Sequence, residues 1–420
     1  MTSPEDARRA IDAVWRIESA RLIAGLARMV RDIGLAEDLA QDALVAALEQ
    51  WPRSGVPDSP GAWLMATAKN RAIDRIRHGE MAARKQQELG REEELRRQLS
   101  ERDLAAQADE EIGDELLSLI FTACHPLLAT EARVALTLRL VGSLTTAEIA
   151  RAFLVKESTV AQRIVRAKRT LAEAKVPIEV PAGAELDERL GSVLEVIYAI
   201  FNEGYSASAG ENLIRADLCE EAMRLGRILA ELAPREPEAH GLIALMELQA
   251  SRFAARTGPS GEPVLLLDQD RARWDFVLIG RGLKGLERAE TLGRPLGPYA
   301  LQAAIAACHA RARTAAETDW ERIAALYDGL AAITGSPVVK LNRAVAIGMA
   351  FGPEAGLELV DALAGEPALE GYHLLPAARG EMLERLGRGE EARAEFERAA
   401  SLTRNERERA LLLGRSAPPR

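Results

Sequence analysis

Residues 145–171, TTAEIARAFLVKESTVAQRIVRAKRTL, combine two helix-start signals with one short break, and this pattern constrains the fold strongly. Thr145 and Glu148 form the T-x-x-E spacing of a capping box, which marks the beginning of a helix. After a turn at residues 154–157, Ser158 is suited to be the N-cap of a second helix. The stretch therefore predicts two short helices joined by a tight turn.

The second of these helices has two chemically different sides. Val160, Ile164 and Leu171 recur at helical spacing and form an apolar stripe. The predicted DNA contacts on this helix are Ser158, Thr159, Gln162, Arg163, Arg166 and Arg169. Arginine pairs with guanine and glutamine with adenine, while neighbouring cations neutralise phosphates. The pattern favours a DNA-binding helix-turn-helix, and the competing interpretation is a solvated basic face on an ordinary helical hairpin.

The overall acidity of the chain does not oppose this interpretation. The formal net charge is −10, but residues 1–180 hold 26 basic and 28 acidic residues, a net of −2. The remaining 240 residues therefore carry a net of −8. Because DNA binding depends on local patches, an acidic C-terminal part is compatible with a basic reading helix.

The rest of the chain also predicts helices. Ala, Leu, Arg and Glu dominate and β-branched runs are scarce, so the predicted fold class is all-α. Its 420 residues suffice for two or three domains. The predicted organisation is a domain at residues 1–79, a charged linker or solvated helix at 80–111, a second domain at 112–176 and a helical domain at 185–420.

The C-terminal domain shows weak internal repetition. FGPEAGLELVDAL and LGRGEEARAEFERAASL each place a glycine-containing turn before an amphipathic helix, with Ala355 and Ala392 in equivalent positions. EAMRLGRILAELAPREPEAHGLIALMEL has a third helix-turn-helix pattern. Paired helices at this spacing predict a tetratricopeptide-like helical solenoid.

Two separated segments carry a family resemblance. GLAEDLAQDALVAALEQWP followed by SPGAWLMATAKNRAIDRIRH resembles region 2 of bacterial sigma factors of the extracytoplasmic-function (ECF) type, and the helix-turn-helix resembles region 4. The resemblance implies that Asp38, Gln41 and Asp42 dock on the clamp helices of the largest subunit of core RNA polymerase. Within the same helix, Leu39, Ala43 and Val45 are expected to pack inward.

The resemblance also assigns roles in binding promoter DNA. Region 4 would read the minus-35 element, and the loop at residues 52–60 would capture a flipped minus-ten base. Contacts to the single strand are predicted for Lys69, Asn70, Arg71 and Arg75. Trp63 is either a base-stacking residue or a core residue. Leu154 stands where many members have glycine in the turn, which puts the docking angle in question.

The C-terminal extension resembles that of a sigma-factor branch with a fused tetratricopeptide-like domain. The resemblance implies that this domain regulates the sigma factor in place of a separate anti-sigma protein, through an intramolecular contact with the sigma domains. Two other functions stay open at this point. One is a one-component helix-turn-helix regulator with a helical-repeat sensor, and the other is a repeat scaffold that retains a degenerate DNA-binding end.

Other chemistry is not predicted. Cys124, Cys219 and Cys308 are far apart and form no CxxC pair, so we expect small buried residues in a reducing cytoplasm. The sequence shows no signal peptide and no membrane-spanning stretch, and no membrane partner is expected. Phosphate-binding, Rossmann and metallohydrolase motifs are missing, so we predict no catalytic residue, no metal and no cofactor, that is, a protein that is not an enzyme.

Overall fold

The computed structural model describes residues 4–84, 108–153, 155–205, 215–258, 262–403 and 405–416. These residues form α-helices, short 3₁₀ turns and loops, with no β-strand among them, which confirms the all-α prediction. The chain divides into two compact units, Met1–Val196 and Ile197–Arg420.

The first unit begins with three helices. They are α1 (Pro4–Val30), α2 (Ile33–Ser54) and α3 (Pro60–Arg84). The Asp32 side chain caps α2 by accepting a hydrogen bond of 2.8 Å from the Leu35 amide. Leu26, Leu39 and Leu64 come from the three different helices and are fully buried. These residues place a shared apolar core between the helices, so the polar faces of α2 and α3 are held outward.

Four further helices follow the predicted linker, most of which (residues 85–107) lies outside the described residues. They are α4 (Ala108–Ala123), α5 (Thr130–Leu140), α6 (Thr146–Ala152) and α7 (Glu157–Glu173). The predicted capping box opens α6: the Glu148 carboxylate accepts from the Thr145 amide at 2.7 Å, and the Glu148 amide donates to Thr145 Oγ1 at 3.2 Å.

The predicted N-cap of α7 is wrong. The helix begins at Glu157, with Lys156 as the capping residue, and Ser158 is exposed in the first turn. The Lys156 carbonyl accepts from the Thr159 amide at 2.9 Å, so the backbone enters the helix before Ser158. No side chain caps this end. Leu154, which raised the question about the turn, lies outside the described residues.

The helix α8 (Ala184–Tyr205) crosses the division between the units. Its first half completes the core of the first unit. Arg189 donates to the Phe121 carbonyl at 3.1 Å, and the Ser192 hydroxyl donates to the Cys124 carbonyl. The predicted start of the C-terminal domain at residue 185 therefore falls inside a helix whose first half belongs to the first unit.

The second unit continues with helices joined by short connections. They are α9 (Ala216–Leu232), α10 (Pro237–Ala250), α11 (Phe276–Thr291), α12 (Pro298–Arg311), α13 (Trp320–Thr334), α14 (Pro337–Phe351), α15 (Pro353–Ala362), α16 (Leu374–Arg385), α17 (Gly389–Leu402) and α18 (Glu406–Ser416). From α12 onward each helix packs against the next one along the chain. This neighbour-to-neighbour packing is the pattern expected of an array of helical repeats.

Small residues allow some of these helices to approach closely. A Cβ atom added to Gly241 of α10 would lie 2.7 Å from the Ala300 Cα of α12. Gly348 of α14 and Gly356 of α15 face each other in the same way, with a distance of 3.2 Å from a Cβ at Gly348 to the Gly356 Cα. These contacts explain why glycine occurs inside otherwise regular helices.

Candidate nucleic-acid and polymerase interfaces

The helix α7 has the two faces that its sequence predicts. Val160, Ile164, Ala167 and Leu171 are buried on one side. The predicted DNA contacts lie on the other side: Ser158, Gln162, Arg166 and Arg169 are exposed, and Thr159 and Arg163 are half-buried. The buried stripe fixes the helix on its domain, so the polar residues face solvent as a group.

The arginines on this face differ in their partners. Arg169 donates from Nε to Glu173 Oε1 at 2.6 Å, and this hydrogen bond raises the pKa of Arg169. Arg163 and Arg166 form no ion pair with the other described residues. A guanidinium without a carboxylate partner can pair with a base or a phosphate without first breaking an ion pair, as Arg169 would have to do. Arg163 and Arg166 are therefore the better candidates for DNA contacts.

An apolar residue also lies on the polar face of α7. Val165 is 64% exposed, and it follows Gln162 by three positions and precedes Arg169 by four. Residues at these spacings share one surface of a helix. A valine in the major groove can contact the thymine methyl group. Val165 is therefore a further candidate for base recognition, which the sequence analysis did not single out.

The outer face of α2 mixes acidic, amide and apolar groups. Asp38 is exposed, Gln41 and Asp42 are half-buried, and Leu39 and Ala43 are buried as predicted. The prediction for Val45 is wrong: its side chain is 49% exposed, because it lies four residues after Gln41 on the same outer surface.

Leu48, 41% exposed, extends this apolar strip by about one turn. The face therefore presents two aliphatic side chains beside its polar groups. An exposed apolar strip rimmed by polar residues is typical of a protein-binding surface.

The helix α3 carries the predicted contacts to single-stranded DNA. Asn70 and Arg75 are exposed, whereas Lys69 and Arg71 are half-buried. Arg71 Nη1 donates to the Asp42 carbonyl and lies 3.9 Å from an Asp42 carboxylate oxygen. The structure thus brings together one residue predicted to bind DNA and one predicted to bind polymerase.

The tryptophan beside this helix is half-buried. The rings of Trp63 and Trp51 pack edge to face with their centroids 5.4 Å apart, and Trp51 is fully buried. Of the predicted base-capturing loop, residues 52–54 continue α2 and Pro60 begins α3. The loop itself is therefore shorter than predicted, and Gly55 turns the chain into it with φ at 84°.

One buried carboxylate joins the three-helix part to the helix-turn-helix part. Glu37 of α2 has a side chain that is 6% exposed. It accepts hydrogen bonds from Arg139 Nε at 2.7 Å, from Gln41 Nε2 at 2.8 Å and from Lys168 Nζ. Sequence reasoning missed this cluster, because Glu37 looks like one more acidic residue on a polar helix and its partners lie 102 and 131 positions away.

The charge of Glu37 follows from its surroundings. Burial raises the pKa of this carboxyl, but the charges and hydrogen bonds of Lys168 and Arg139 outweigh burial, and the pKa lies below its ordinary value. Glu37 is therefore an ionised carboxylate at neutral pH.

Comparisons with known proteins agree with this geometry. Sigma-70 region 2 matches residues 17–80, and sigma-70 region 4 matches residues 118–171. The ECF RNA polymerase sigma factor SigK of Mycobacterium ulcerans (strain Agy99) is 32% identical over 158 residues, which cover 36% of this chain and 78% of SigK. The chain belongs to the ECF sigma factors.

Two further matches of this sigma factor are to proteins without an assigned role. A family of unknown function, DUF6596, matches residues 189–290. The uncharacterized protein R00370 of Rhizobium meliloti (strain 1021) is 45% identical over 394 residues, covering 93% of this chain and 91% of the relative. No solved structure gives a significant match.

The regions of the sigma factor can now be assigned to helices. The region 2 match begins within α1 and ends within α3, and the region 4 match runs from α4 into α7. The match of unknown function begins in α8 and ends in α11. Among the described residues, no helix is long and apolar enough to cross a membrane.

Proposed function

We propose that this sigma factor binds core RNA polymerase with the outer face of α2, reads a minus-35 element with α7 and helps to open a minus-ten element with α3. The observation that carries the proposal is the two-faced α7, whose buried stripe leaves Gln162, Arg163 and Arg166 on the opposite side. Promoter selection would then take place in the cytoplasm, together with the polymerase.

Binding of the polymerase is assigned to Asp38, Gln41 and Asp42, with Val45 and Leu48 as apolar neighbours. The exposed side chains of Val45 and Leu48 support the proposal that this face binds a protein. Burying apolar surface in an interface favours association by about 25 cal/mol per Å². The clamp helices of the largest subunit are the proposed partner surface.

Opening of the minus-ten element is assigned to α3 and to the loop before it. Extruding a base costs a few kcal/mol, which nearby cations and a stacking surface must offset. Lys69 and Arg75 supply positive charge, exposed Asn70 supplies an amide, and half-buried Trp63 supplies part of an aromatic face. Because Arg71 already binds the Asp42 carbonyl, its proposed DNA contact requires that this bond be exchanged.

The C-terminal unit is proposed to regulate the sigma unit through an intramolecular contact. Residues 197–420 hold 27 basic and 32 acidic residues, a net charge of −5, and a net acidic unit would repel DNA and attract the basic outer face of α7, which supports this role. Transcription by the full chain and by a truncation after Val196 tests this part of the proposal. Equal transcription from the two proteins contradicts it.

The whole proposal is tested by run-off transcription on genomic fragments with purified core polymerase, with and without the sigma factor. We expect transcripts from defined start sites only in its presence. Absence of transcripts together with absence of co-elution with core polymerase contradicts the proposal and favours a one-component regulator. Tight operator binding without polymerase would favour the same alternative.

A further inference from the structure

The connection between α10 and α11 brings positively charged side chains together. It runs over residues 251–275, and a hydrogen bond of 2.8 Å from the Asp275 amide to the Ser251 carbonyl joins its two ends. Inside it, the Val264 amide donates to the Arg256 carbonyl at 2.8 Å. Long connections in compact domains are usually functional, so the side chains of this one are candidates for a binding site.

Two arginines of the connection contact one tyrosine at the end of α8. The guanidinium carbons of Arg252 and Arg256 lie 6.0 and 3.7 Å from the ring centroid of Tyr205. Arg252 Nη2 donates to the Tyr205 hydroxyl at 2.7 Å, and Arg256 Nη1 donates to the Tyr205 carbonyl. Tyr205 therefore fixes two positive charges near each other. Burial, and after it the charge of Arg252, lower the pKa of Arg256.

A third arginine of the connection lies close to this pair. The 3₁₀ turn Phe253–Ala255, which Arg252 and Arg256 flank, is in contact with the 3₁₀ turn that Arg271 begins. Arg271 Nη1 donates to the His309 carbonyl of α12. Burial and then the charge of Arg252 lower the pKa of Arg271 and of the His309 ring. Arg252, Arg256 and Arg271 thus form an arginine cluster, with the His309 ring beside it.

The arginine cluster has no ion pair with a carboxylate among the described residues. Glu408 and Glu317 act on the cluster only from beyond ion-pair distance. Glu408 instead pairs with His373 at 3.3 Å, and Glu317 accepts a hydrogen bond of 3.1 Å from the Arg313 amide. The positive charges of the cluster therefore have no counter-ion in the described part of the chain.

Other half-buried arginines of this unit are paired. Arg215 lies 3.0 Å from a Glu203 oxygen, and Arg379 lies 2.7 Å from an Asp361 oxygen. Acidic residues also outnumber basic ones in the unit, which has a net charge of −5. Partly buried positive charges without counter-ions repel each other and cost free energy. The arginine cluster is therefore a place where an anion from outside the chain would be favoured.

Buried nitrogen atoms at the cluster also lack partners. Arg252 Nε, His309 Nδ1 and Trp274 Nε1 form no hydrogen bond with the described residues. His309 and Trp274 are 8% and 5% exposed, and the Arg271 guanidinium carbon lies 4.7 Å from the Trp274 ring centroid. Buried donors of this kind cost free energy unless an acceptor reaches them. The three arginines are half-buried, so part of each is open to an anion from solvent.

The chemistry of the cluster favours a doubly charged oxyanion. Guanidinium groups bind phosphate and carboxylate oxygens bidentately and keep their charge when they are partly buried. A phosphate monoester carries about −1.5 to −2 charges near pH 7 and offers three strong acceptor oxygens. A phosphate diester, as in a nucleic-acid backbone, carries a single negative charge. A site with three positive charges therefore prefers the monoester.

We propose that the arginine cluster binds the phosphate group of a small phosphate monoester. The bound phosphate would neutralise the repulsion among the arginines and hold the connection between α10 and α11 against α8 and α12. The site would give the proposed regulatory unit a small-molecule ligand. That consequence rests on the proposed function, whereas binding itself can be measured without polymerase or promoter.

The test is isothermal titration calorimetry of the full chain with glycerol phosphate, inorganic phosphate, dimethyl phosphate and succinate. Sodium chloride keeps the ionic strength constant, because salt screens contacts between exposed charges. We expect saturable binding of glycerol phosphate and of inorganic phosphate. Binding should be about tenfold weaker for dimethyl phosphate, which has one charge, and for succinate, whose two charges lie on separate carboxylates.

The compared variants are Arg252→Gln, Arg256→Gln and the matched control Arg273→Gln. Arg273 is exposed on the same connection, two positions after Arg271, so its variant removes one positive charge outside the cluster. Glycerol phosphate should bind about tenfold more weakly to each of the first two variants, because each loses one charged donor. Its affinity for Arg273→Gln should equal that for the wild type.

Thermal unfolding with and without glycerol phosphate separates binding from structure. A purely structural arginine would lower the unfolding temperature equally in both conditions, whereas loss of the site also removes the rise that the ligand produces in the wild type. Hydrogen exchange of the wild type locates the site without any substitution. We expect glycerol phosphate to protect the peptides that contain Arg252 and Arg271.

Several results would overturn the proposal. Absence of saturable binding to the wild type does so, and so does equal weakening by Arg252→Gln and Arg273→Gln, which would indicate unspecific attraction by positive charge. Protection confined to α7 would place the phosphate on the DNA-binding face instead. Tighter binding of succinate would indicate a dicarboxylate ligand, and binding of inorganic phosphate alone would exclude an ester. If the two cluster variants do not fold, hydrogen exchange of the wild type decides.

Discussion

Arg133 of α5 donates from Nη1 to the Ser192 hydroxyl of α8, and that hydroxyl donates in turn to the Cys124 carbonyl. The same guanidinium lies 3.0 Å from Glu195. Region 4 therefore depends on a helix segment that follows the predicted domain boundary. A truncation in the proline-containing connection at 177–184 removes the partners of a buried arginine.

Truncation after Val180 is expected to destabilise the sigma unit compared with truncation after Val196. The shorter protein leaves Arg133 and the Cys124 carbonyl without their partners, which costs at least about 2 kcal/mol. Urea unfolding of the two truncations measures the difference. Ser192→Ala in the longer protein should also lower the free energy of unfolding, by about 1–3 kcal/mol, because it removes one of these partners. Equal midpoints for both truncations would show that α8 does not support region 4.

Arg166→Ala is expected to weaken promoter recognition more than Arg169→Ala. Arg166 has no carboxylate partner among the described residues, whereas Arg169 must give up its bond to Glu173 before it contacts DNA. Loss of a bidentate contact to guanine costs about 1–3 kcal/mol at one base pair. Holoenzyme binding to promoters with single minus-35 substitutions measures this. Equal weakening on every sequence would indicate phosphate contacts instead.

Val165 is expected to read a thymine methyl group. Replacing one minus-35 thymine by uracil removes only that methyl, which is worth about 0.8 kcal/mol when buried. At one thymine position, replacement by uracil should then weaken binding of the wild-type holoenzyme about fourfold. The Val165→Ala holoenzyme should bind the thymine and uracil promoters equally. Competition binding with promoters substituted at each thymine in turn gives the comparison. A wild-type protein indifferent to all these substitutions contradicts the assignment.

Much of the sigma unit could be predicted because its signals are local. The capping box at Thr145 and the stripe of Val160, Ile164 and Leu171 are set by spacing within one helix, and the structure confirms them. The predicted N-cap of α7, Ser158, lies two residues after the observed one, Lys156. Serine is a favoured capping residue, but the backbone already enters the helix at Lys156.

What could not be predicted depends on contacts between distant residues. Glu37 and Lys168 are 131 positions apart, and neither differs in sequence from an ordinary surface charge. The role of the first half of α8 was hidden for the same reason, since its partners lie in α4 and α5. The wrong inward prediction for Val45 is a different case, because helical spacing alone places this residue four positions after Gln41 on the outer surface of α2.

Gly241→Ala is expected to destabilise the second unit, with Gly280→Ala as the matched control. A methyl at Gly241 would meet the α12 backbone at 2.7 Å, whereas one at Gly280 of α11 would meet nothing within 4 Å. Overpacking costs about 1–3 kcal/mol, and glycine to alanine in an open helix position stabilises by up to about 1 kcal/mol. In thermal unfolding of the full chain, Gly241→Ala should therefore lower the unfolding temperature and Gly280→Ala should raise it. Similar shifts for both variants would exclude a tight α10–α12 contact.

His309 is expected to make the second unit sensitive to mild acid. Its side chain is 8% exposed, packs edge to face on Trp320 and has no hydrogen-bond partner for Nδ1 among the described residues. Burial, and then the positive charges of Arg252 and Arg271, lower its pKa from 6.5 to about 4. The folded state holds this ring neutral, while the unfolded chain protonates it with a pKa near the ordinary value.

The stability contributed by His309 is therefore complete above about pH 6.5 and is lost as the pH falls towards 4. With 1.36 kcal/mol for each pKa unit, the loss is on the order of 3 kcal/mol. His309→Gln cannot be protonated, so its free energy of unfolding should fall less over this range than that of the wild type. Urea unfolding at several pH values measures both slopes, and parallel profiles would show that His309 is not the titrating group.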